Sequence, residues 1–404
     1  MKPTIFHLEL SLAEARTAIA ERIAPLEQEC IPLTEALARV CAAFVFAARP
    51  SPSCDQSARD GFALATQPLF ADQAVAAFHI SGEIAAGCTE QKRLAPGQAF
   101  RIMTGAAIPT GTARVVPFEV CQEKDGKVLV PLAELARKQL HIRRQGCEVQ
   151  TGQLLAAART RLLPDHLLLL AENGCEEIVV HRQPRVAVIC TGTELTQAGE
   201  PLLPGCKISG NGALLAALLQ TQHCTCICCL TVEDNAERIT ALIEQIIDRD
   251  QPDLLISTGG MGPGTFDLTE QVFARLGGVS VYNRLRVRPG RSTLFGLLDK
   301  VPFFGLPGPP PAVRLLFHEL VAPAIVRLHG EEHSGGMLKK AILDGPALLS
   351  QADCTVLKGA VARVDEEGRL RVRLADRLEP LNAILHLNGE EGELVSVRLI
   401  GPLA

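Results

Sequence analysis

A chain of 404 residues, 47% hydrophobic and 21% charged, has the composition of a globular protein too long for one ordinary core, so roughly two to four domains are expected. A formal net charge of −5 argues against nucleic acid as the principal partner, and a single tyrosine (Tyr282) with no tryptophan leaves few platforms for stacked bases. The amino terminus lacks a basic-then-apolar signal pattern and no apolar run approaches the ~20 residues that span a bilayer, so the expectation is a cytoplasmic protein with no membrane partner.

Taken in order, residues 11–23 predict an amphipathic helix that Ser11 caps, with Glu14 where a capping box needs it. A second helix is expected over 34–41. The chain then turns extended and proline-marked at 48–52, a domain crossing. Between 53 and 140, short apolar runs alternate with turn residues, which predicts mostly β structure. Residues 141–152 are a basic, turn-rich connection whose Arg143 and Arg144 read as a solvated face or an inter-subunit contact. Residues 163–174 predict a helix that ends on Asn173-Gly174, as a left-handed cap prefers.

From Arg185 a β–α alternation begins: a strand into CTGTEL, a helix over 210–220, a cysteine-rich strand and a helix. It continues with the strand 254–257, a glycine loop and a helix opening at Leu268. That pattern predicts a doubly wound parallel sheet of roughly 140 residues. Residues 301–330 add a strand, a proline-rich turn and a closing helix, and from His333 the alternation predicts a small all-β domain. Of fourteen cysteines, Cys224, Cys226, Cys228 and Cys229 form the one cluster; their alternation fits a strand using thiols as small hydrophobes, without the paired C-x-x-C spacings of zinc sites.

The chemistry concentrates in the stretch 253–270, DLLISTGGMGPGTFDLTE. Gly259, Gly260 and Gly262 follow a buried strand and precede a helix, so backbone N–H groups can approach an anion at the positive end of the helix dipole; a tight turn without a ligand is the alternative. Arg288 and Arg291 bracket Pro289-Gly290, and two fixed guanidinium forks suit phosphate or another oxyanion, with a solvated basic loop as the equal alternative. Leu306-Pro307-Gly308 closes a strand that could face the same cleft. Thr104-Gly105 can bind an oxyanion or turn the chain. Asp60, before a glycine, reads as a turn aspartate or a directed carboxylate.

Laid out in order, these stretches resemble the MoeA family of molybdopterin molybdenumtransferases, related to the gephyrin E domain. SARDGFA resembles S-A-M-D-G-Y-A, RIMTGAAIPTG resembles R-I-M-T-G-A-x-x-P-x-G, and PRVAVICTGTEL resembles P-R-V-A-I-x-S-T-G-D-E-L. The glycine loop resembles S-G-G-V-S-V-G-x-x-D-Y, RVRPGRSTLFG resembles K-P-G-K-P-x-x-F-G, and FFGLPGPP resembles F-G-L-P-G-N-P. Six such matches in the right order cover nearly the whole chain.

The resemblance implies a multidomain α/β fold: a MogA/MoaB-like doubly wound core, a discontinuous linker domain, an inserted β-rich domain and a carboxyl-terminal β-barrel. The expected bounds are 1–48 with 141–180 for the linker, 49–140 for the insert, 181–330 for the molybdopterin-binding core and 331–404 for the barrel. It further implies an elongated homodimer that takes adenylylated molybdopterin and molybdate, uses a divalent cation such as magnesium, and releases AMP. Its partners would extend to the molybdopterin adenylyltransferase and to recipient molybdoenzymes. The residues it points to for substrate or phosphate are Thr104, Gly105, Thr191, Gly192, Glu194, Ser257, Gly259, Gly260, Gly262, Arg288, Arg291, Pro307 and Gly308. Asp267 would act in catalysis and on the cation, and Asp60 would reach the cleft from the partner subunit.

The departures carry information too. Thr193 stands where the first acid of S-T-G-D-E-L does, Ser209 where the acid of the family's Y-D-x-N does, and Gly146-Cys147-Glu148 where G-E-D does. Both lysines of K-P-G-K are arginine, and Pro309 replaces the asparagine of P-G-N-P. Two further readings follow: a paralogue that binds molybdopterin or a partner protein without catalysis, and a molybdopterin adenylyltransferase.

Overall fold

The computed structural model describes residues 8–72, 74–197, 199–261, 268–332, 337–346, 348, 353–376, 379–389 and 393–403. At its centre is a seven-stranded sheet in the order Glu9–Leu10, Val279–Leu285, Ser292–Leu298, Val301–Leu306, Leu254–Thr258, Arg185–Thr191, Thr225–Val232. The last four run parallel, as the β–α alternation predicts. Ser292–Leu298 is antiparallel to both its neighbours, because a hairpin with Asp299 at φ +54° reverses the chain into Val301–Leu306. The sheet is therefore mixed, with one strand that the alternation alone does not announce.

Both faces of the sheet are covered, so its strands alternate between two apolar environments rather than between apolar and polar. Val186, Val188, Leu254, Ile256, Phe304 and Leu306 pack with Leu215 and Leu219 of the Asn211–Thr221 helix. Their neighbours Ala187, Ile189, Leu255 and Phe303 face Ile239, Ile243 and Ile246 of Ala236–Asp250 and Val272 and Phe273 of Leu268–Arg275. Each such side chain contributes about 1.5–3 kcal/mol when fully buried, and the summed burial fixes the register that presents the loops at the sheet's edge. Thr225–Val232 is the edge strand. A register shift opposite Val186/Ala187 turns Cys226 toward the first layer and Ile227-Cys228 toward the second.

Ser11 caps the first helix as expected, with the reciprocal Glu14 bond, but the helix Leu12–Ala20 and the strand Glu9–Leu10 pack on the central sheet through Leu12, Ala15 and Ile19. The helix expected over 34–41 is a correction. Only a 3-10 turn forms, over Leu33–Glu35; Ala38 is left-handed at φ +61°, and Val40 and Cys41 are drawn into β-bridges with Arg161 and Val180. Tertiary pairing outweighs a modest helix propensity there. Residues from 31–47 and 149–180 share one core, around Leu162, Leu170 and Val180.

The stretch 61–131 forms a second seven-stranded sheet, mostly antiparallel, with Gly61–Ala65 between Gln98–Ile102 and Thr112–Pro117. At the carboxyl end, Thr355–Val364 pairs with both Leu370–Leu374 and Ala383–Leu387, which closes a five-stranded barrel. The barrel is tied to the core by Glu319, fully buried on a π-helical turn. Its carboxylate accepts from Arg398 at 3.1 Å, pairs with Arg16 of the first helix and meets His386 at 2.8 Å. Removing one partner from such a buried cluster typically costs about 3–5 kcal/mol. No helix among the described residues is long and apolar enough to cross a membrane.

Candidate functional site

The carboxyl ends of three adjacent parallel strands, Arg185–Thr191, Leu254–Thr258 and Val301–Leu306, open on a crevice of about 280 Å³. This is where ligands bind in open α/β sheets. Its wall is built from Thr191, Gly192, Glu194, Gly259, Gly260, Pro307 and Gly308, all named from the sequence, together with Leu195, Lys207, Asn211, Asp234, Met261 and Pro309. The backbone stitches the loops together: Gly192 N–H donates to Val232 (3.1 Å) and Gly259 N–H to Leu306 (3.1 Å).

Two glycines are there for physical reasons. Gly259 has φ +96°, and a Cβ on it would lie 2.2 Å from the Thr191 carbonyl oxygen, which cannot move without breaking the neighbouring strand end. Gly260 has φ +63°, and a Cβ there would meet the Thr269 hydroxyl at 2.9 Å. That hydroxyl donates to the Gly259 carbonyl (2.9 Å), which ties the loop to the helix that follows. Gly262 and Asp267 lie outside the described residues.

Three wall residues are ones that sequence reasoning did not single out. Asn211 opens the eleven-residue helix Asn211–Thr221 and is buried; its Nδ2 donates to the Gly308 carbonyl (2.8 Å) and to Thr258 Oγ1 (3.3 Å), while Oδ1 has no partner among the described residues. It thereby links three loops, and the helix that it starts brings unpaired N–H groups toward the crevice, since no side chain caps it. Lys207 Nζ pairs with Glu194 Oε1 at 2.9 Å, and this neighbour holds the Glu194 carboxyl below its ordinary range. Asp234 accepts from Thr193 N–H at 3.2 Å and returns a bond to the Thr193 hydroxyl at 3.4 Å. Asn211 carried one signal, its place between two glycines before an apolar helix. Lys207 and Asp234 carried none.

Other predicted residues sit elsewhere. Ser257 is 2% exposed within its strand, paired to Ile189 and Gly305, and does not reach the crevice wall. Arg288 and Arg291 line a separate hollow of about 130 Å³ with Glu9, Arg286, Asp353 and Cys354. Because Leu294 pairs antiparallel with Gly305, the Pro289–Arg291 turn leaves the sheet beside Pro307, so hollow and crevice share one edge. Arg291 donates to Glu9 at 3.0 Å and Arg286 to Glu14 at 3.0 Å, whereas the Arg288 side chain makes no hydrogen bond or ion pair with another described residue, its backbone being paired with Val356.

Asp60 and Thr104 form a corner of the second sheet that belongs to neither concavity. Thr104 donates to the Asp60 carboxylate through its backbone N–H (2.7 Å) and its hydroxyl (2.8 Å), which holds that carboxyl below its usual range; Gly105, at φ +81°, donates to Ser57 (2.9 Å). Arg143 and Arg144 are held within the chain, by Glu148 and by Asp55 at 2.6 Å. A larger hollow of about 440 Å³, lined by Arg161, His223, His318 and Arg398, lies at the opposite edge of the sheet, away from the glycine loops.

The magnesium implied by the resemblance can be tested on the donor set. The crevice wall offers two carboxylates among the described residues, Glu194 and Asp234; the first is neutralised by Lys207 and the second is engaged by Thr193. No group of three or more His, Cys, Asp or Glu among the described residues could hold a metal. Magnesium demands near-octahedral oxygen coordination, and an ammonium 2.9 Å from one of two carboxylates does not fit it.

Comparison with known proteins bears on the same regions. Residues 10–174 match the family model of the MoeA N-terminal region (domain I and II), and residues 187–327 that of the probable molybdopterin binding domain. The chain is 33% identical over 375 residues to the molybdopterin molybdenumtransferase of Haemophilus influenzae, which spans 90% of this chain and 89% of that one. It is 33% identical over 307 residues to the Bacillus subtilis protein of the same name, over 74% and 70%. A crystal structure of the molybdopterin biosynthesis MoeA protein from Pyrococcus horikoshii superposes with a TM-score of 0.81 at 25% identity, covering 98% of this chain and 100% of that one.

Proposed function

The chain belongs to the MoeA family of molybdopterin molybdenumtransferases, and from that premise we propose that it inserts molybdate into adenylylated molybdopterin with release of AMP, in the cytosol. The observation that carries this reading is the crevice, where the left-handed turn at Gly259 and Gly260 and the start of the Asn211–Thr221 helix, which no side chain caps, line one small volume. Such a wall suits a phosphate, since preorganised donors and the helix dipole favour negative charge. Thr191, Gly192, Pro307 and Gly308 shape the volume against the rest of the substrate.

Arg288 and Arg291 would take the molybdate. A guanidinium pair set by a Pro-Gly turn offers planar forks to an oxyanion, and Arg288 is uncommitted among the described residues. Beside Pro307 they would hold it within one strand spacing of the crevice. Asp60, Thr104 and Gly105 would complete the site in a homodimer, presented by the partner subunit; what supports this is their place on a separate sheet, with the Asp60 carboxyl held below its usual range by two bonds from Thr104. Asp267 would be the acid of the glycine loop. We derive no step through magnesium, because the described donors do not fit it. Contacts with the adenylyltransferase that supplies the substrate and with recipient molybdoenzymes belong to the same reading.

Ser209 and Thr193, in place of two acids, favour a second reading: a paralogue that binds molybdopterin without turnover. AMP release from adenylylated molybdopterin, with and without molybdate, decides between them. Molybdate-dependent release that is lost in Asp267→Ala supports the insertion reaction. Tight binding without release supports the paralogue, and competition of binding by ATP would support an adenylyltransferase instead.

A further inference from the structure

We propose that Lys207 supplies, as a protein ammonium, the positive charge that the resemblance assigns to a divalent cation, so that this chain holds its phosphate-bearing substrate without magnesium. The inference rests on the proposed function, since it presumes a phosphate in the crevice. Lys207 lies on the short strand Lys207–Ile208, parallel to Leu195–Thr196, and its backbone N–H donates to the Glu194 carbonyl at 2.8 Å. That pairing sets its side chain on the crevice wall, where it is 64% exposed and so turned to open volume rather than packed away. Within the chain its partner is Glu194 at 2.9 Å. A phosphate carries more charge than one carboxylate and offers three oxygens to the three N–H donors of an ammonium.

Charge counting points the same way. The described wall holds two carboxylates, Glu194 and Asp234, and one ammonium, Lys207, for a net charge of −1. With acids at positions 193 and 209, as in the motifs that this chain resembles, the same neighbourhood would carry −3. A hard dication is drawn to the second arrangement and not to the first. Thr193 engages Asp234 through its backbone N–H and its hydroxyl, and Ser209 brings a neutral hydroxyl, so neither substitute restores a carboxylate for a cation. The exchange is coherent: two acids go, and a lysine stands where their cation would have been needed.

The test uses the full-length protein titrated with molybdopterin, once in EDTA and once in millimolar magnesium, for wild type, Lys207→Met and Lys207→Arg. The lysine is largely exposed, so both variants fold, which a thermal melt checks. Wild type should bind equally well in both buffers. Lys207→Met should weaken binding in EDTA by about 10- to 100-fold, the loss of one charge-assisted hydrogen bond, and Lys207→Arg should retain most of it. Mn2+, read by its free-ion electron paramagnetic resonance signal, should not be taken up by the wild-type complex. Binding that EDTA abolishes, a Lys207→Met protein that binds like wild type, or stoichiometric Mn2+ uptake would each overturn the inference. Wild type that binds in neither buffer would overturn the functional reading beneath it, and the inference with it.

Discussion

The crevice and the arginine hollow open on the same edge of one sheet, yet they are made of different materials. The crevice is a backbone construction: its shape follows from strand ends, two left-handed glycines and a helix start, with Gly259 pressed against the Thr191 carbonyl. The hollow is a side-chain construction, in which guanidinium groups on a surface turn are steadied by Glu9 and Glu14. The first can bind an anion only where its atoms already lie, and it tolerates almost no substitution. The second sets charge rather than shape, and a lysine or an arginine can fill it with different reach. That contrast explains why the resembling motifs keep their glycines here while both lysines of K-P-G-K have become arginine.

The contrast breaks most visibly at Gly259. Gly259→Ala should destabilise the chain by about 2–4 kcal/mol, from steric overpacking and a left-handed alanine, and should abolish phosphate binding in the crevice. Arg291→Ala, whose side chain is 62% exposed, should change stability by no more than about 0.5 kcal/mol. Urea titration of both proteins checks the pair. An alanine at 259 that is neutral would mean that the strand ends are not the rigid wall described here.

A smaller effect, in pH, separates the crevice from the opposite edge of the sheet. Burial pushes His318 and His329 down to about 4 from an ordinary value near 6.5. Because the folded values lie below the unfolded one, the unfolded chain binds more protons, and the stability present above pH 6.5 is lost as pH falls toward 4. The slope should be about 1.4 kcal/mol per pH unit for each histidine. In the crevice, Lys207 holds the Glu194 carboxyl below its ordinary range, so that carboxylate is protonated only at more acid pH than an ordinary glutamate. Melting curves at pH 7 and pH 5 should therefore differ, with less stability at pH 5, and substitution of either histidine by Gln should flatten the difference.

Much of this architecture was legible in the residues. Runs such as LLIST and RVAVICT can only be strands buried on both faces, and Asn173-Gly174 marks a helix end that the structure has at Glu172. What stayed hidden depended on pairing at long range. The failed helix over 34–41 yields to bridges more than a hundred residues away, and the antiparallel strand Ser292–Leu298 depends on a hairpin whose φ +54° residue is an aspartate rather than a glycine. Glycines mark the crevice because their conformation is a local property. Asn211, which stands where the asparagine of Y-D-x-N does, was given no role because that role lies in bonds to Thr258 and Gly308, 47 and 97 residues further along the chain. Arg288 and Arg291 look adjacent to the glycine loop in sequence chemistry, but the strand Val301–Leu306 lies between the strand that follows their turn and the strand that leads into the loop.

The division of labour between the two concavities is tested most directly by the molybdate dependence of AMP release in Arg288→Ala/Arg291→Ala, at saturating adenylylated molybdopterin. The double variant should need about 10- to 100-fold more molybdate for half-maximal release, while its affinity for molybdopterin, measured separately, stays at the wild-type value. An unchanged molybdate requirement together with weakened molybdopterin binding would contradict the account, because it would place the arginines on the pterin substrate and leave the oxyanion to the crevice.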